Sequence, residues 1–367
     1  MRIAVIGCKG IPAVAGGVER VVEEVGAEMA ARGHDVIVYA RRGQYPGPAP
    51  ERVRGMRVIT TAGVPGKHTD AITHTATAAW DLLQRNVDVV HLYSPGPALL
   101  SFLPAARRVP VVFTIQGPDW EGPRWSRPAR LALSAGLACG MRFASVVTTV
   151  SLSIADFLAD KYHREVTCVP NGVRPARVRK PDIISGWGLR PEGYALNVGR
   201  IVRGKGVDLL VRTWAGLDLD MPLVIVGDMD QEPGYAARCR RYTDNRIRFV
   251  GPCFGPTLEE LYSNASLVVQ PSRWEGMSLV LLEAASYERP VVAREMPANR
   301  EALGEAMIAF QGESAEALGG AIIKCVGDEQ LRRQVARLAR KRVTARFSWP
   351  RIADEYERLY RCAAQTC

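Results

Sequence analysis

Short, unbroken runs of Val, Ile and Leu recur along this chain, separated by stretches of helical periodicity, and no other feature narrows the fold as much. Residues 2–7, 35–40, 87–92, 109–115 and 144–150 read as strands in the first half. Residues 194–198, 222–227, 247–251, 267–270 and 290–293 repeat the pattern in the second. Strands without polar alternation are covered on both faces, and intervening helices are the crossovers that parallel pairing needs. The helix after the first strand, for instance, lines up Val18, Val21, Val22, Val25, Met29 and Ala30. Ligands of such sheets gather at the carboxyl ends of the strands, so chemistry is expected in the loops there.

The alternation breaks once. After Pro170-Asn171-Gly172-Val173, residues 174–191 hold several Pro and Gly, a basic run and little apolar periodicity. The expected organisation is an N-terminal domain over residues 1–175, a linker over 176–189 and a C-terminal domain over 190–349. The last helix, within 350–367, is expected to pack back on the first domain, and helices over 315–326 and 330–346 read as structural. A length of 367 residues suits two such domains, each with its own core.

With 47% apolar and 23% charged residues the chain has the balance of a soluble globular protein. No stretch approaches the roughly 18 consecutive apolar residues of a transmembrane helix. Eight scattered cysteines without a CxxC pair argue against a disulfide or zinc framework and fit a reducing cytoplasm. The net charge of +10 is uneven: residues 1–180 hold 23 Lys/Arg against 14 Asp/Glu, and the remainder 25 against 24. That asymmetry is either a solvated basic surface or a first half that meets an acidic partner, such as a phosphate-bearing acceptor or an anionic membrane. Nucleic acid is set aside, because aromatics do not interleave with the cations.

Three loops carry candidate chemistry. The first βα turn, from Gly7 to Glu19, is glycine-rich but does not match GxGxxG. The second strand lacks the terminal acid that would take a ribose, so a nicotinamide enzyme is disfavoured. Gly16-Gly17 stands directly before a helix and is either a plain tight turn or a place where backbone approaches a phosphate. After strand 194–198 comes Gly199-Arg200, then Gly204-Lys205-Gly206 ahead of a helix. Two cations at a strand's carboxyl end suit a departing diphosphate, whereas Arg203 reads equally well as surface. The third loop, Pro271-Ser272-Arg273-Trp274-Glu275-Gly276-Met277-Ser278, leads into a helix bearing Leu279, Leu282 and Glu283. Glu275 and Glu283 are at most about 12 Å apart along a helix axis, too far to share a proton or a metal but suited to the two ends of one elongated ligand. Asp218-Leu219-Asp220 and Asp228-Met229-Asp230 resemble metal-binding triplets but lack a third ligand at defined spacing, and no metal is expected. His68, His74 and His91 are isolated and read as structural. Thr114-Ile115-Gln116 ends a buried strand, followed by Asp119 as the only nearby acid.

Taken together these pieces resemble the retaining glycosyltransferases of family 4. The resemblance rests on Gly16-Gly17-Val18-Glu19-Arg20, Pro170-Asn171-Gly172-Val173, Arg200 with Gly204-Lys205-Gly206, and the Glu-x7-Glu spacing of Glu275 and Glu283. The opening residues 6–12 and Gly66-Lys67-His68 are similar to a bacterial surface-polysaccharide subgroup, some of it rhamnosyltransferases. The resemblance implies the GT-B fold, an α/β architecture with two Rossmann-like parallel-sheet domains facing a central cleft. It implies a nucleotide-diphosphate sugar donor, a sugar or lipid-linked acceptor on the basic N-terminal side, and no required cofactor. By position, Arg200 and Lys205 would bind the diphosphate, Glu275 the donor sugar and Glu283 the ribose. The backbone at Gly276, Met277, Ser278 and Leu279 would face sugar and phosphates, with Gly16 and Gly17 closing over the diphosphate. Gln116 stands where many relatives have His, and it can hydrogen-bond a donor but cannot carry a proton. The expected setting is cytoplasmic, peripheral at the inner face of the cell membrane. A nucleotide-sugar 2-epimerase of the same fold and a non-catalytic sugar-nucleotide-binding protein stay open as alternatives.

Overall fold

The computed structural model describes residues 1–13, 16–45, 47–64, 69–118 and 126–365. The chain divides into two compact units, Met1–Asn171 with Trp349–Cys367, and Gly172–Ser348. The first contains strands β1 (Arg2–Ile6), β2 (Asp35–Arg41), β3 (Arg52–Val53), β4 (Met56–Thr61), β5 (Val89–Tyr93), β6 (Val111–Ile115), β7 (Val146–Thr149) and β8 (Thr167–Cys168). They form one sheet in the order β3-β4-β2-β1-β5-β6-β7-β8, parallel except for the β3–β4 pair. One face buries Ile6, Tyr39, Leu92 and Phe113 beneath Leu82 of helix Thr69–Leu83 and Leu137 and Met141 of helix Arg127–Phe143. Helix Trp349–Gln365 returns to this unit and packs on helix Gly17–Ala31. Its buried residues Trp349, Ile352, Ala353, Tyr356, Leu359, Tyr360 and Ala363 recur at three- and four-residue steps, which puts them on one side. Arg32, just past helix Gly17–Ala31, holds Glu357 at 2.9 Å.

The second unit contains β9 (Ala195–Val198), β10 (Leu223–Val226), β11 (Ile247–Gly251), β12 (Leu267–Gln270), β13 (Val291–Arg294) and β14 (Ile308–Phe310). All five pairs are parallel, in the order β11-β10-β9-β12-β13-β14. The chain therefore winds outward from β9 in one direction, crosses back, and winds outward from β12 in the other. Such a reversal opens a crevice between the loops that follow the two innermost strands.

Residues 176–189, expected as a linker, are instead part of the second unit. Glu260, on helix Gly255–Asn264, accepts hydrogen bonds from the backbone N–H of Asp182 at 2.5 Å and Ile184 at 2.9 Å. Ile184 and Leu189 are buried, and Arg179 pairs with Glu259 at 2.5 Å. A low apolar density concealed these anchors, because they are backbone and ionic. The boundary also moves charge. The basic run Arg174–Lys180 falls in the second unit, so the first holds 22 Lys/Arg against 17 Asp/Glu and the second 26 against 21, or +5 each. The expected excess over the N-terminal half is a property of the chain order, not of the folded units.

Candidate functional site

Two loops of the second unit meet at its topological reversal. The first follows β9 and contains the short turn Arg203–Lys205, and the second follows β12. Gly206 lies at φ 68, and a Cβ there would stand 2.4 Å from the carbonyl oxygen of Pro271, so only glycine lets the loops touch. The backbone N–H of Arg273 donates to the Gly204 carbonyl at 2.8 Å, and its guanidinium donates to the Arg203 carbonyl at 2.6 Å. Arg273 is itself braced by Asp208 at 2.9 Å and Glu313 at 2.8 Å.

That stitching brings Lys205 Nζ to 2.5 Å from Glu275 Oε1, with the Glu275 side chain 10% exposed and that of Lys205 21%. Burial pushes the Glu275 carboxyl up, but the Lys205 ammonium and hydrogen bonds from Lys205, Ser272 and Gln270 outweigh it and hold the group below the ordinary carboxylate range. Behind the pair runs a buried polar chain. Asn197 donates to the Val269 carbonyl at 2.8 Å and to Gln270 Oε1 at 3.4 Å. Gln270 Nε2 donates to Ser272 Oγ at 3.0 Å and to Glu275 Oε1 at 3.4 Å. Asn197, Gln270 and Ser272 are all at most 2% exposed. Neither Asn197 nor Gln270 was picked out by sequence reasoning, although an amide inside an otherwise apolar strand must find a partner and could have signalled them.

The fold around this pair, two parallel α/β sheets with cation and carboxylate at a strand reversal, coincides with two family models. Residues 15–177 match Glycosyltransferase Family 4, and residues 192–328 match Glycosyl transferases group 1. The chain is a glycosyltransferase of the GT-B fold. It is 28% identical over 408 residues to the glycogen synthase of Mycobacterium tuberculosis, covering 99% of this chain and 95% of that protein. In structure it is similar to a sucrose-phosphate synthase from Thermosynechococcus elongatus, with a TM-score of 0.84 over 100% of both chains at 23% identity. It is also similar to Anabaena HepE in complex with UDP-glucose, with a TM-score of 0.80 over 98% of this chain and 99% of that one at 18% identity.

The other residues singled out in this glycosyltransferase fall as follows. Arg200, after β9, donates to Gln231 Oε1 at 3.0 Å, and Arg203 is a surface residue, its side chain 58% exposed beside Glu232. Gly276, Met277 and Ser278 are buried and lead into helix Leu279–Ser286, where Glu283 Oε2 accepts from Tyr262 Oη at 3.1 Å. The Asp228 carboxylate accepts from the Asp230 N–H at 2.8 Å and from Gln231 at 3.4 Å, folding that triplet onto itself. No group of three potential metal-ligating side chains occurs among the described residues.

The remaining positions belong to the first unit. Gly16, at φ 107, starts helix Gly17–Ala31, and a Cβ there would lie 2.1 Å from Glu19 Oε2. Glu19 Oε1 accepts from the Lys9 N–H at 3.0 Å, so this acid ties the helix start to the β1 loop. Gln116 directly follows β6, and its Nε2 is buried without a hydrogen-bond partner among the described residues. His91 is wholly buried between Tyr360 Oη at 2.7 Å and Thr114 Oγ1 at 2.6 Å, and His74 Nδ1 lies 2.8 Å from Thr61 Oγ1. Gly66, Lys67, His68 and Asp119 lie outside the described residues.

Proposed function

We propose that this glycosyltransferase moves a sugar from a nucleotide-diphosphate sugar to a hydroxyl acceptor with retention of anomeric configuration, in building a cell-surface polysaccharide or glycoconjugate. The observation that carries the reading is the partly buried Lys205–Glu275 pair at the strand reversal of the second unit. Lys205 and Arg200 supply the positive charge that a leaving diphosphate needs as its bond to the sugar's anomeric carbon breaks. Glu275, its carboxylate held ionised, accepts hydrogen bonds from donor-sugar hydroxyls, and Glu283 takes the ribose end. Engagement of Glu275 Oε1 by Lys205 and Gln270 makes it a binding carboxylate rather than a nucleophile. Retention then follows from attack on the face the diphosphate leaves, with the acceptor's proton passing to the departing phosphate oxygen. The N-terminal unit takes the acceptor, a sugar or lipid-linked sugar, and Gln116 spends its unmet N–H on donor or acceptor oxygen. The polymer setting is supported by similarity to a glycogen synthase.

The test is a panel of nucleotide sugars in thermal unfolding. One donor at 100 times its dissociation constant stabilises the native protein by about 2.7 kcal/mol, and Lys205→Ala abolishes that gain. NMR of the product formed with that donor shows the donor's anomeric configuration. An inverted product removes the retaining mechanism, and no stabilisation by any donor removes the donor site.

A further inference from the structure

We propose that Arg294, the last residue of β13, is a positioning residue for sugar transfer, fixing the loop that carries Glu275 and so setting where that carboxylate stands. The inference rests on the donor site proposed above. Pro271 and Ser272 are buried, yet they lie past the last residue of β12, where the chain has left its strand. Buried carbonyls there must find partners, and one side chain meets both. Arg294 Nε donates to the Ser272 carbonyl at 3.0 Å and Nη2 to the Pro271 carbonyl at 3.2 Å. Its Nη1 donates to the Gly312 carbonyl, in the loop after β14. Because β13 lies between β12 and β14, a long side chain at its carboxyl end reaches the loops on both sides. Arg294 is buried, with its guanidinium 5.1 Å from the centroid of the Phe310 ring. A planar fork serves three carbonyls in fixed directions, which the single ammonium of a lysine does not.

Glu313 extends the clamp. Its Oε1 lies 2.9 Å from Arg294 and its Oε2 2.8 Å from Arg273, so one carboxylate binds both guanidinium groups. Arg273 carries the tie on to Asp208 and to the Arg203 carbonyl, in the loop of Lys205. Two carboxylates thus balance two cations, which lets the arginines share one side of the loop. The effect on the site passes through Ser272. Arg294 holds its carbonyl, and its hydroxyl holds the Glu275 carboxylate. The hydrogen bonds of Arg294 go to backbone carbonyls, so it acts on Glu275 by placement and not by contact. Displacing a group at a reacting centre by about 1 Å costs on the order of 100-fold in rate.

A double-mutant cycle in steady-state kinetics tests this on the full chain, with the nucleotide sugar that most raises its unfolding temperature as the varied donor. Arg294→Lys keeps the charge and loses the fork, and kcat falls by about tenfold to 100-fold with donor KM little changed. Glu275→Gln combined with Arg294→Lys has the kcat of Glu275→Gln alone, because the clamp acts through that carboxylate. Glu313→Gln, at a position 53% exposed, gives a smaller loss of kcat by the same route, and it replaces Arg294→Lys in the cycle if that variant does not fold. Arg342→Lys is the control. This arginine also donates to two carbonyls, those of Ala302 and Glu301, each at 2.9 Å, and its substitution lowers the unfolding temperature but not kcat. Unfolding temperature and donor-induced stabilisation report that each variant is folded and binds donor. Unchanged kcat in Arg294→Lys, losses that multiply in the double variant, or an equal loss of kcat in Arg342→Lys overturns the proposal and leaves the donor site standing. Unchanged kcat in Glu275→Gln removes both.

Discussion

Both units bury polar side chains at the carboxyl ends of central strands, but they close the networks differently. In the first unit His91, Thr114, Thr148 and Tyr360 are all engaged with one another. Every member is spent within the unit, and the result is a clamp that fixes the returning helix Trp349–Gln365 to β5 and β6. In the second unit the chain Asn197–Gln270–Ser272 runs outward and ends on Glu275 and Lys205, which retain some exposure. A network that closes on itself serves structure, whereas one that ends on a partly open ion pair fixes two charges at the surface, where the proposed function places the donor. Gln116, with its unspent N–H, does not belong to that closed network, and Arg41 Nε, His74 Nε2 and Ser101 Oγ are likewise buried without a hydrogen-bond partner among the described residues.

Acid separates the two kinds of network most strongly. Burial holds His91 and His74 neutral, with pKa values lowered to about 3 and about 4 from 6.5. Below about pH 6.5 the unfolded chain takes up protons that the folded unit refuses, so stability falls as pH drops and levels off below the native values. At pH 5 each histidine costs up to about 2 kcal/mol. Glu275 and Asp208 have lowered pKa values and keep their contribution until the pH falls through the carboxylate range. Hydrogen exchange at pH 7.5 and pH 5 therefore shows β5, β6 and helix Trp349–Gln365 losing protection while β9 and β12 keep theirs. Equal losses in both units would break the contrast.

A smaller effect sharpens it from the other side. Gln270→Leu keeps the volume of a buried side chain but removes the amide that holds Ser272 and Glu275. The expected result is a loss of about tenfold in kcat, on the order of one hydrogen bond to a charged group. Donor KM changes little, and Gln270→Glu does not rescue, because it sets a second carboxylate against Glu275. An unchanged kcat would make the network structural, like that around His91.

The sequence reading went furthest where local pattern and tertiary burial coincide. The runs behind β1, β2, β6, β10 and β12 are almost wholly apolar because both faces of those strands are covered, whereas the edge strand β11 is mostly half-buried and carries Arg248. Strand β4, Met-Arg-Val-Ile-Thr-Thr, was missed because this strand, next to the sheet edge, has four half-buried or exposed positions, and β14 because it has three residues. At the site, Lys205 and Glu275 could be named because glycines and the helix start mark their loops. Their direct contact could not be read, since they are 70 residues apart and meet only through the order of β9 and β12. Asn197 and Gln270 were hidden for the same reason, their partners being supplied by neighbouring strands and loops. The 176–189 segment misled because its attachment to Glu260 uses backbone N–H groups, which leave no trace in residue type.

The central claim is that Glu275 and Glu283 hold different ends of one donor. Steady-state kinetics of Glu275→Gln and Glu283→Gln with the donor varied tests it most directly. The account predicts a fall of about 100-fold or more in kcat for Glu275→Gln, with donor KM little changed. For Glu283→Gln it predicts a raised donor KM with kcat largely kept. The reverse pattern, or equal loss of kcat in both variants, would contradict it.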